Sequence, residues 1–135
     1  MILITGAVAS SNENSMEIYE KIVELCQTKT DDILSPLDTM KFTGSNEERY
    51  QRAMDLLKKT SLIIAEMSVP STGQGMELQE AVNLGIPIII VAKSESKISG
   101  LILGTNKIQN VIYYDDIEML INKLEEELNS YENNY

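Results

Sequence analysis

The stretch IIAEMSVPSTGQGMELQEAV, residues 63–82, decides how this chain folds. Its apolar start ends in a carboxylate, Glu66, and a proline and two glycines follow within a few residues. An apolar run of this kind predicts a buried strand, and Pro and Gly predict the turn after it. A second carboxylate, Glu77, falls just inside the helix that we expect over 75–84. The stretch therefore predicts a strand, a glycine-rich turn and a helix, with an acid on each side of the turn.

Strands and helices alternate along the rest of the chain. Apolar runs predict five strands, at 2–5, 33–34, 62–65, 86–92 and 108–114. Apolar residues at helical spacing predict helices around 16–26, 50–57, 75–84 and 117–128, with a short helix or turn at 98–104. The segment SNENS, residues 11–15, supplies cap candidates for the first helix. The stretch DDILSPLDTMKFTGSN, residues 31–46, is ambiguous: Ile33 and Leu34 could form a short strand, followed by a loop.

This alternation indicates an α/β fold. Strands that are apolar on both faces belong to a parallel sheet covered on both sides by helices. Five of them fit a doubly wound, flavodoxin-like or Rossmann-like sheet of strand order 2-1-3-4-5 with right-handed crossovers. In such sheets, ligands bind at the carboxyl ends of the strands where the strand order reverses. Here that point joins the loops GAVASSNEN, residues 6–14, and MSVPSTGQG, residues 67–75.

Length and composition limit the class of protein. The chain has 135 residues, 43% of them hydrophobic, which favours a single domain over 1–135 with residues after about 129 as a frayed tail. Because no apolar run could cross a bilayer and the N-terminus lacks the basic start of a signal peptide, we expect a cytoplasmic protein without membrane contact. The single cysteine, Cys26, excludes an internal disulfide, and its apolar helical stripe predicts a place in the core.

Charge and histidine content narrow the function. A net charge of −10 argues against nucleic-acid binding through a basic face. A small anion is still compatible, because backbone N–H groups at a helix start can hold a phosphate. The chain has no histidine, which removes histidine catalysis and histidine metal sites. No metal and no cofactor are predicted for the site.

The glycine-rich turn has two interpretations. Gly73 and Gly75 let a ligand approach the backbone closely, and Ser71 and Thr72 offer hydroxyls beside the free N–H groups of the helix start, as in an anion cradle. Alternatively the glycines only shape the turn, and Glu77 is a solvated first-turn acid. The pattern matches neither the Walker P-loop nor the GxGxxG fingerprint. Spacing alone favours the second interpretation.

The order of the residues resembles the nucleoside 2-deoxyribosyltransferase-like family, which includes the 2′-deoxynucleoside 5′-phosphate N-hydrolases. The family signature has Ala-Glu, a proline–serine pair and then Gly-x-Gly-x-Glu-Leu, as in AEMSVPSTGQGMELQEAV here. In addition, YQRAM at 50–54 lies where the family has Tyr-x-Arg-Asp, and ISGLILG at 98–104 resembles its serine-containing segment. The resemblance covers most of the chain in order.

The resemblance implies an enzyme that cleaves or exchanges the N-glycosidic bond of a nucleoside or nucleoside 5′-monophosphate. Glu77 would be the nucleophile at the anomeric carbon, since a carboxylate can trap an oxocarbenium-like sugar. The loop residues Ser71, Gly73 and Gly75 would contact the 5′-hydroxyl or 5′-phosphate. Ser99 would reach the neighbour's site across a homodimer with shared active sites.

Three departures from the family pattern favour an alternative, a nucleotide-binding protein of the same fold without turnover. The family aspartate falls on Ala53, and Asp55, two residues later, would face elsewhere on the helix. The family aromatic residue in the first strand falls on Leu3. The loop over 6–14 has no arginine, so a phosphate would meet a less positive site there, although its polar residues could still donate hydrogen bonds. From that loop we predict that Gly6 and Ser10 contact the substrate.

Other candidates have structural interpretations. We expect Glu66 to be a hydrogen-bonded structural acid, and Ser99 fits a helix cap as well as an active-site role. Tyr19 and Tyr50 are expected in the core. Arg49 and Arg52 are expected on the surface or in ion pairs, with the alternative that one of them replaces the missing phosphate contact.

Overall fold

Five strands build an all-parallel sheet of order β2-β1-β3-β4-β5, which confirms the predicted fold class and strand order. The computed structural model describes residues 1–133. Its strands are β1 (Ile2–Thr5), β2 (Ile33–Leu34), β3 (Leu62–Glu66), β4 (Ile88–Lys93) and β5 (Ile108–Tyr114). Residues of β3 and most of β4 are buried, as expected for strands that have helices on both sides.

Six helices cover the two faces of this sheet. They are α1 (Glu13–Gln27), α2 (Pro36–Met40), α3 (Asn46–Lys58), α4 (Thr72–Asn83), α5 (Gly100–Leu103) and α6 (Ile117–Asn133). Alternate strand residues enter two separate cores. Ile64 packs with α1 and α6, whereas its neighbours Ile63 and Ala65 pack with α3 and α4. The period of two along β3 therefore supplies apolar side chains to both layers.

Local sequence signals determine where the helices begin and end. The Asn12 side chain accepts a hydrogen bond from the backbone N–H of Ser15, so the predicted cap in SNENS is confirmed. Ser45 and Glu48 form a reciprocal capping box at the start of α3. Gly85, at φ +76°, ends α4 in the left-handed conformation that glycine adopts without strain.

Helices α2 and α4 differ from the sequence prediction. Helix α2 replaces part of a predicted loop, because Ser35 and Asp38 form a capping box and Pro36 occupies the first turn. Helix α4 begins at Thr72, three residues before the predicted start. The glycines of the turn therefore lie inside the helix, and Glu77 lies in its second turn.

The C-terminal helix is also longer than predicted. Helix α6 continues past residue 129, where the sequence predicts a frayed tail, and reaches Asn133. Tyr131 packs against the core beside α1, which explains why the helix continues. The rest of the predicted tail, residues 134 and 135, lies outside the described residues.

Two further predictions concern the core and the membrane. Cys26 is a buried, free cysteine on α1, as predicted. None of the helices in residues 1–133 combines the length and the apolar character that crossing a membrane requires.

Candidate active site

A cavity of about 480 Å³ lies at the carboxyl edge of the sheet, beside the end of β1. One wall is formed by α2 and α3 and the opposite wall by the start of α4. This is the edge at which the strand order predicts a ligand site, since the order reverses between β1 and β3. Its lining is mainly apolar, with a few convergent polar groups, as in many small-molecule sites.

Glu77 lies half-buried on the α4 wall of this cavity. In the described part of the chain, no group donates a hydrogen bond to its carboxylate and no cation forms a direct salt bridge with it. Burial raises the pKa of the Glu77 carboxyl to about 7, and the positive charge of Arg52 offsets only part of that rise. The interpretation of Glu77 as a solvated first-turn acid is therefore wrong.

The first turn of α4 forms the cavity wall next to Glu77. Ser71 caps the helix, and its Oγ accepts a hydrogen bond from the Gln74 N–H at 3.3 Å. Neither Gly73 nor Gly75 has a positive φ, and a Cβ at either position would meet nothing within 4 Å. The protein itself therefore does not require these glycines, although glycine costs a helix about 1 kcal/mol relative to alanine. Open space in front of Gly73 leaves room for a ligand against the backbone.

The two glycines do not face the same space. Gly73 and Ser71 line the cavity that contains Glu77. Gly75 lines an adjoining groove between α4 and α5 instead. The structure thus brings Ser71, Gly73 and Glu77 together and separates Gly75 from them.

Gln74 is a site residue that the sequence prediction missed. Its side chain is 2% exposed, and its Nε2 donates to Thr5 Oγ1 at 2.9 Å and to the Glu66 carbonyl at 3.0 Å. It thereby ties the start of α4 to the ends of β1 and β3. Its Oε1 has no hydrogen-bond partner among the described residues. Nothing in the sequence indicated this role, because a glutamine between two glycines resembles a loop residue.

The opposite wall contains both arginines of the chain, Arg49 and Arg52. Their guanidinium carbons lie 5.4 and 5.3 Å from the centroid of the Phe42 ring, within cation–π range. Arg52 also donates a long hydrogen bond of 3.5 Å to Thr39 Oγ1. Neither arginine forms a salt bridge with a described carboxylate, so of the two predicted alternatives, surface or ion pair, only a surface location is left for each of them. Arg49 is exposed, whereas Arg52 is half-buried and is not a surface residue.

Other side chains of α3 also line the cavity. Tyr50 is 54% exposed, so the core prediction is wrong for this residue, because this face of α3 borders the cavity instead of the core. Tyr19, on α1, is 3% exposed, as predicted. Ala53 and Leu3 both line the cavity, and neither supplies a carboxyl or a hydroxyl group. Asp55 faces away, as predicted, and accepts a hydrogen bond from Gln51.

The remaining predicted contacts lie in different places. Gly6 lines the main cavity, and a Cβ there would collide with the Tyr19 side chain, so packing requires this glycine. Ser10 is exposed and lines a separate cavity of about 80 Å³. The Ser99 Oγ accepts a hydrogen bond from Leu101 N–H and caps α5, beside the groove that Gly75 lines. Within one chain, neither serine shares the cavity of Glu77.

Glu66 has the structural role that the sequence predicts. Its Oε1 accepts from the Ser68 backbone N–H at 2.7 Å, and its Oε2 accepts from Ser68 Oγ at 2.9 Å and from the Tyr114 hydroxyl. Burial and the neighbouring Glu66 charge raise the pKa of the Tyr114 phenol. Glu66 thus links β3 to β5 through a satisfied hydrogen-bond network.

The acids of the molecule are dispersed. Glu77 carries the only carboxyl group among the residues that line the main cavity. No three His, Cys, Asp or Glu side chains converge anywhere in the described part of the chain. The cavity therefore offers one carboxylate, two guanidinium groups and the free N–H groups of a helix start.

The chain has a curated relative over most of its length. It is 28% identical over 126 residues to a candidate 2′-deoxynucleoside 5′-phosphate N-hydrolase of Methanosarcina mazei, and the aligned part covers 88% of this chain and 78% of the relative. No family model matches the chain.

Two solved structures share the fold. The CMP N-glycosidase of Clostridium botulinum superposes with a TM-score of 0.69 at 19% identity, over 92% of this chain and 97% of that one. The 2-deoxyribosyltransferase of Bacillus psychrosaccharolyticus superposes with a TM-score of 0.65 at 17% identity, over 90% of this chain and 91% of that one. At these identities the neighbours show a common fold. The relative and the common fold support the resemblance of this chain to the nucleoside 2-deoxyribosyltransferase-like family.

Proposed function

We propose that this chain cleaves the N-glycosidic bond of a nucleoside or nucleoside 5′-monophosphate, with Glu77 as the nucleophile. One observation carries the proposal: an unpaired, half-buried carboxylate lies on the same wall as a helix start that glycine leaves open. Gly73 and Glu77 are four residues apart and share one face of α4, about 6 Å apart along the helix axis. A furanose ring fits that separation, with its 5′ end at the helix start and its anomeric carbon at the carboxylate.

The reaction begins when a Glu77 oxygen attacks C1′ as the bond from C1′ to the base nitrogen breaks. The sugar passes through an oxocarbenium-like state that the carboxylate charge stabilises. Water then attacks C1′ and releases Glu77, or a second base does so in a transfer reaction. The names of the curated relative and of the two structural neighbours support hydrolysis or base exchange as the reaction class.

Cavity charges support an anionic substrate despite the net charge of −10. Both arginines line the cavity, and the first N–H groups of α4 have no helical acceptor. Guanidinium groups and helix starts are the usual partners of a phosphate. The arginine that is missing from the loop over 6–14 is therefore compensated from α3.

The experiment is a panel of nucleosides and 5′-monophosphates, followed by chromatography for free base. Wild type is expected to release base, and Glu77→Gln is expected to lose turnover while it still binds nucleotide by calorimetry. Glu80→Gln is the matched control, because Glu80 is an acid of the same helix that does not line the cavity. Turnover by Glu77→Gln at the wild-type rate would refute the assigned nucleophile.

A binding protein without turnover is the second candidate. Ala53 and Leu3 favour it, since they place apolar groups where the family signature has a carboxyl and an aromatic residue. In that case wild type and Glu77→Gln both bind a nucleotide with similar affinity. Neither of them releases base from any member of the panel.

We further propose a homodimer with a shared active site. Leu101 is 88% exposed and Met76 56% exposed on the groove between α4 and α5, and Met76 also lines the main cavity. A partner seated on this groove would cover both side chains and bring a second Ser99 close to the cavity. Ile98, the residue before Ser99, is buried in the core of its own chain.

Light scattering tests the dimer. Leu101→Asp is expected to give a monomer with reduced turnover. Tyr113→Asp, at another exposed apolar side chain, is expected to leave the dimer intact. A wild-type monomer at micromolar concentration would end the shared-site proposal.

The proposed setting is the cytoplasm. Cys26 is the single cysteine of the chain, and it is free and buried. Burial raises the pKa of its thiol to about 12, so the thiol is unreactive and suits a reducing compartment.

A further inference from the structure

The main cavity contains a nucleophile but no second carboxyl group. Glycoside cleavage usually uses two, one to attack the sugar and one to protonate the leaving group. Glu77 is the only carboxyl among the lining residues, and alanine occupies position 53 on the facing helix. Tyr50 lines the cavity as well, but a phenol is a far weaker acid than a carboxylic acid. The departing base therefore needs another form of stabilisation.

Arg52 is in a position to supply it. It is half-buried, it lines the same cavity as Glu77, and its charge acts on the Glu77 carboxyl. The Phe42 ring at 5.3 Å and the Thr39 hydroxyl at 3.5 Å hold the guanidinium, and no described carboxylate forms a salt bridge with it. A guanidinium donates hydrogen bonds from a permanent positive charge but does not give up a proton in proteins. It can therefore stabilise an anionic base but cannot protonate it.

We propose that Arg52 stabilises the departing base as an anion, and that the cavity therefore selects nucleosides or nucleotides whose base is acidic enough to leave unprotonated. This inference rests on the proposed N-glycosidase function. Pyrimidines that delocalise negative charge onto a carbonyl oxygen belong to this class. Purines that leave only after protonation of a ring nitrogen do not.

The step balances without a further reactant. The Glu77 oxygen forms a bond to C1′, and the electron pair of the broken C1′–N bond stays on the base nitrogen. The resulting anion accepts hydrogen bonds from the Arg52 guanidinium. Water then supplies a hydroxyl group to C1′ as the bond to Glu77 breaks, and its proton ends on the released base. Nothing is oxidised or reduced.

The test is a series of 2′-deoxyuridine 5′-monophosphates with methyl, hydrogen, bromo and fluoro groups at C5, which differ in the acidity of the base. For wild type, kcat/KM is expected to rise with base acidity. Arg52→Gln is expected to lose about 10²–10³-fold on the least acidic base and much less on the most acidic, because it removes stabilisation of charge in the transition state. Arg52→Lys keeps the charge and is expected to recover part of the loss.

Three further variants separate binding from leaving-group stabilisation. Arg49→Gln is expected to change kcat/KM by the same factor for every substrate of the series. Tyr50→Phe is expected to leave the slope against base acidity unchanged. Ala53→Asp places a carboxylic acid next to position 52 and is expected to flatten the slope. Thermal melts confirm that each variant is folded before its rates are compared.

The outcomes distinguish two kinds of failure. If Arg52→Gln lowers all rates by one factor and keeps the slope, or if Tyr50→Phe steepens the slope, the inference about Arg52 is overturned while the N-glycosidase function stands. If neither wild type nor Ala53→Asp releases base from any member of the series, the proposed function and the inference both fall. A steeper slope in Arg52→Gln together with a flatter slope in Ala53→Asp supports the inference.

Discussion

Glu66 and Glu77 are carboxylates of the same short stretch with opposite surroundings. Glu66 is 7% exposed and accepts three hydrogen bonds, from the backbone and side chain of Ser68 and from Tyr114. Glu77 is half-buried in a cavity wall and accepts none from the described residues. Burying a carboxylate costs free energy unless partners compensate. The fold supplies hydrogen-bond donors to Glu66. None of the described residues donates to Glu77, whose donors would have to come from a ligand in the cavity.

The difference arises from the elements that carry the two acids. Glu66 ends β3, where the chain turns back on itself and presents Ser68 to the carboxylate, while the parallel sheet brings Tyr114 across from β5. Glu77 lies in the second turn of α4, beyond the free N–H groups of the helix start. The acid with satisfied hydrogen bonds, Glu66, has a structural role, and the acid without them, Glu77, is the one that we propose for chemistry.

The largest expected effect is that two matched substitutions change different quantities, one the rate of catalysis and the other the free energy of unfolding. Glu77→Gln should lower kcat at least about 10³-fold, because the transition state loses its nucleophile, while the folded state loses no stability. Glu66→Gln should instead lower the free energy of unfolding by about 1–3 kcal/mol, because its amide presents hydrogen-bond donors to groups that donate. Steady-state kinetics and urea unfolding on both variants measure the two effects. Equal loss of stability in both variants would show that the comparison is wrong.

A smaller effect concerns the pH dependence of stability. The pKa of the Glu77 carboxyl rises from 4.5, the ordinary value of a solvated glutamate, to about 7 in the folded protein. Between pH 4.5 and about 7, the Glu77 carboxyl is ionised in the unfolded chain and still protonated in the folded protein. The stability that Glu77 contributes below pH 4.5 is therefore lost as pH rises to about 7. The expected loss is roughly 1–3 kcal/mol, since one pKa unit corresponds to about 1.4 kcal/mol and partial exposure reduces the sum.

Urea unfolding from about pH 4 to about pH 8.5 measures this loss across the titration of Glu77. Glu77→Gln should remove it and should be more stable than wild type above about pH 7, whereas Glu80→Gln should follow the wild-type profile. Parallel profiles for wild type and Glu77→Gln would mean that Glu77 titrates like a solvated acid.

The smallest effect separates the two glycines of α4. Alanine at either position should raise the free energy of unfolding by about 0.5–1 kcal/mol, because both positions are helical and a Cβ meets no neighbour. Only Gly73→Ala should weaken nucleotide binding, since Gly73 lines the cavity of Glu77 and Gly75 does not. Calorimetric titration of both variants with one nucleoside 5′-monophosphate checks this. Equal loss of affinity in both would place the ligand over the adjoining groove.

The fold was accessible from the sequence because its strands are nearly continuous aliphatic runs. A run such as IPIIIVA has no polar face, so it fits only a sheet covered on both sides. The handedness of crossovers then leaves few strand orders, and the observed order 2-1-3-4-5 is the predicted one. The edge at which the cavity lies follows from that order.

The wall opposite Glu77 was harder to predict. The sequence predicts Tyr50 in the core and Arg52 on the surface or in an ion pair, because residue spacing does not say whether a helix face meets the core, water or a cavity. The predicted start of α4 lies three residues too late because Ser, Thr and Gly in succession resemble a turn, and only the Ser71 cap shows that a helix has begun. The sequence carries one signal of this wall: both arginines of an acidic chain lie three residues apart on one helix.

The most direct test of the central claim is covalent capture of the nucleophile. Fluorine at C2′ of the sugar destabilises the oxocarbenium-like state, and with a reactive base as the leaving group the glycosyl–enzyme intermediate accumulates. The protein is incubated with the 5′-monophosphate of 2′-deoxy-2′-fluoroarabinosyl-5-fluorouracil, digested and examined by mass spectrometry. We predict one added fluorosugar phosphate on the peptide that contains Glu77, and none in Glu77→Gln. An adduct on Glu66 or any other residue, or base release from this compound without an adduct on Glu77, would contradict the account.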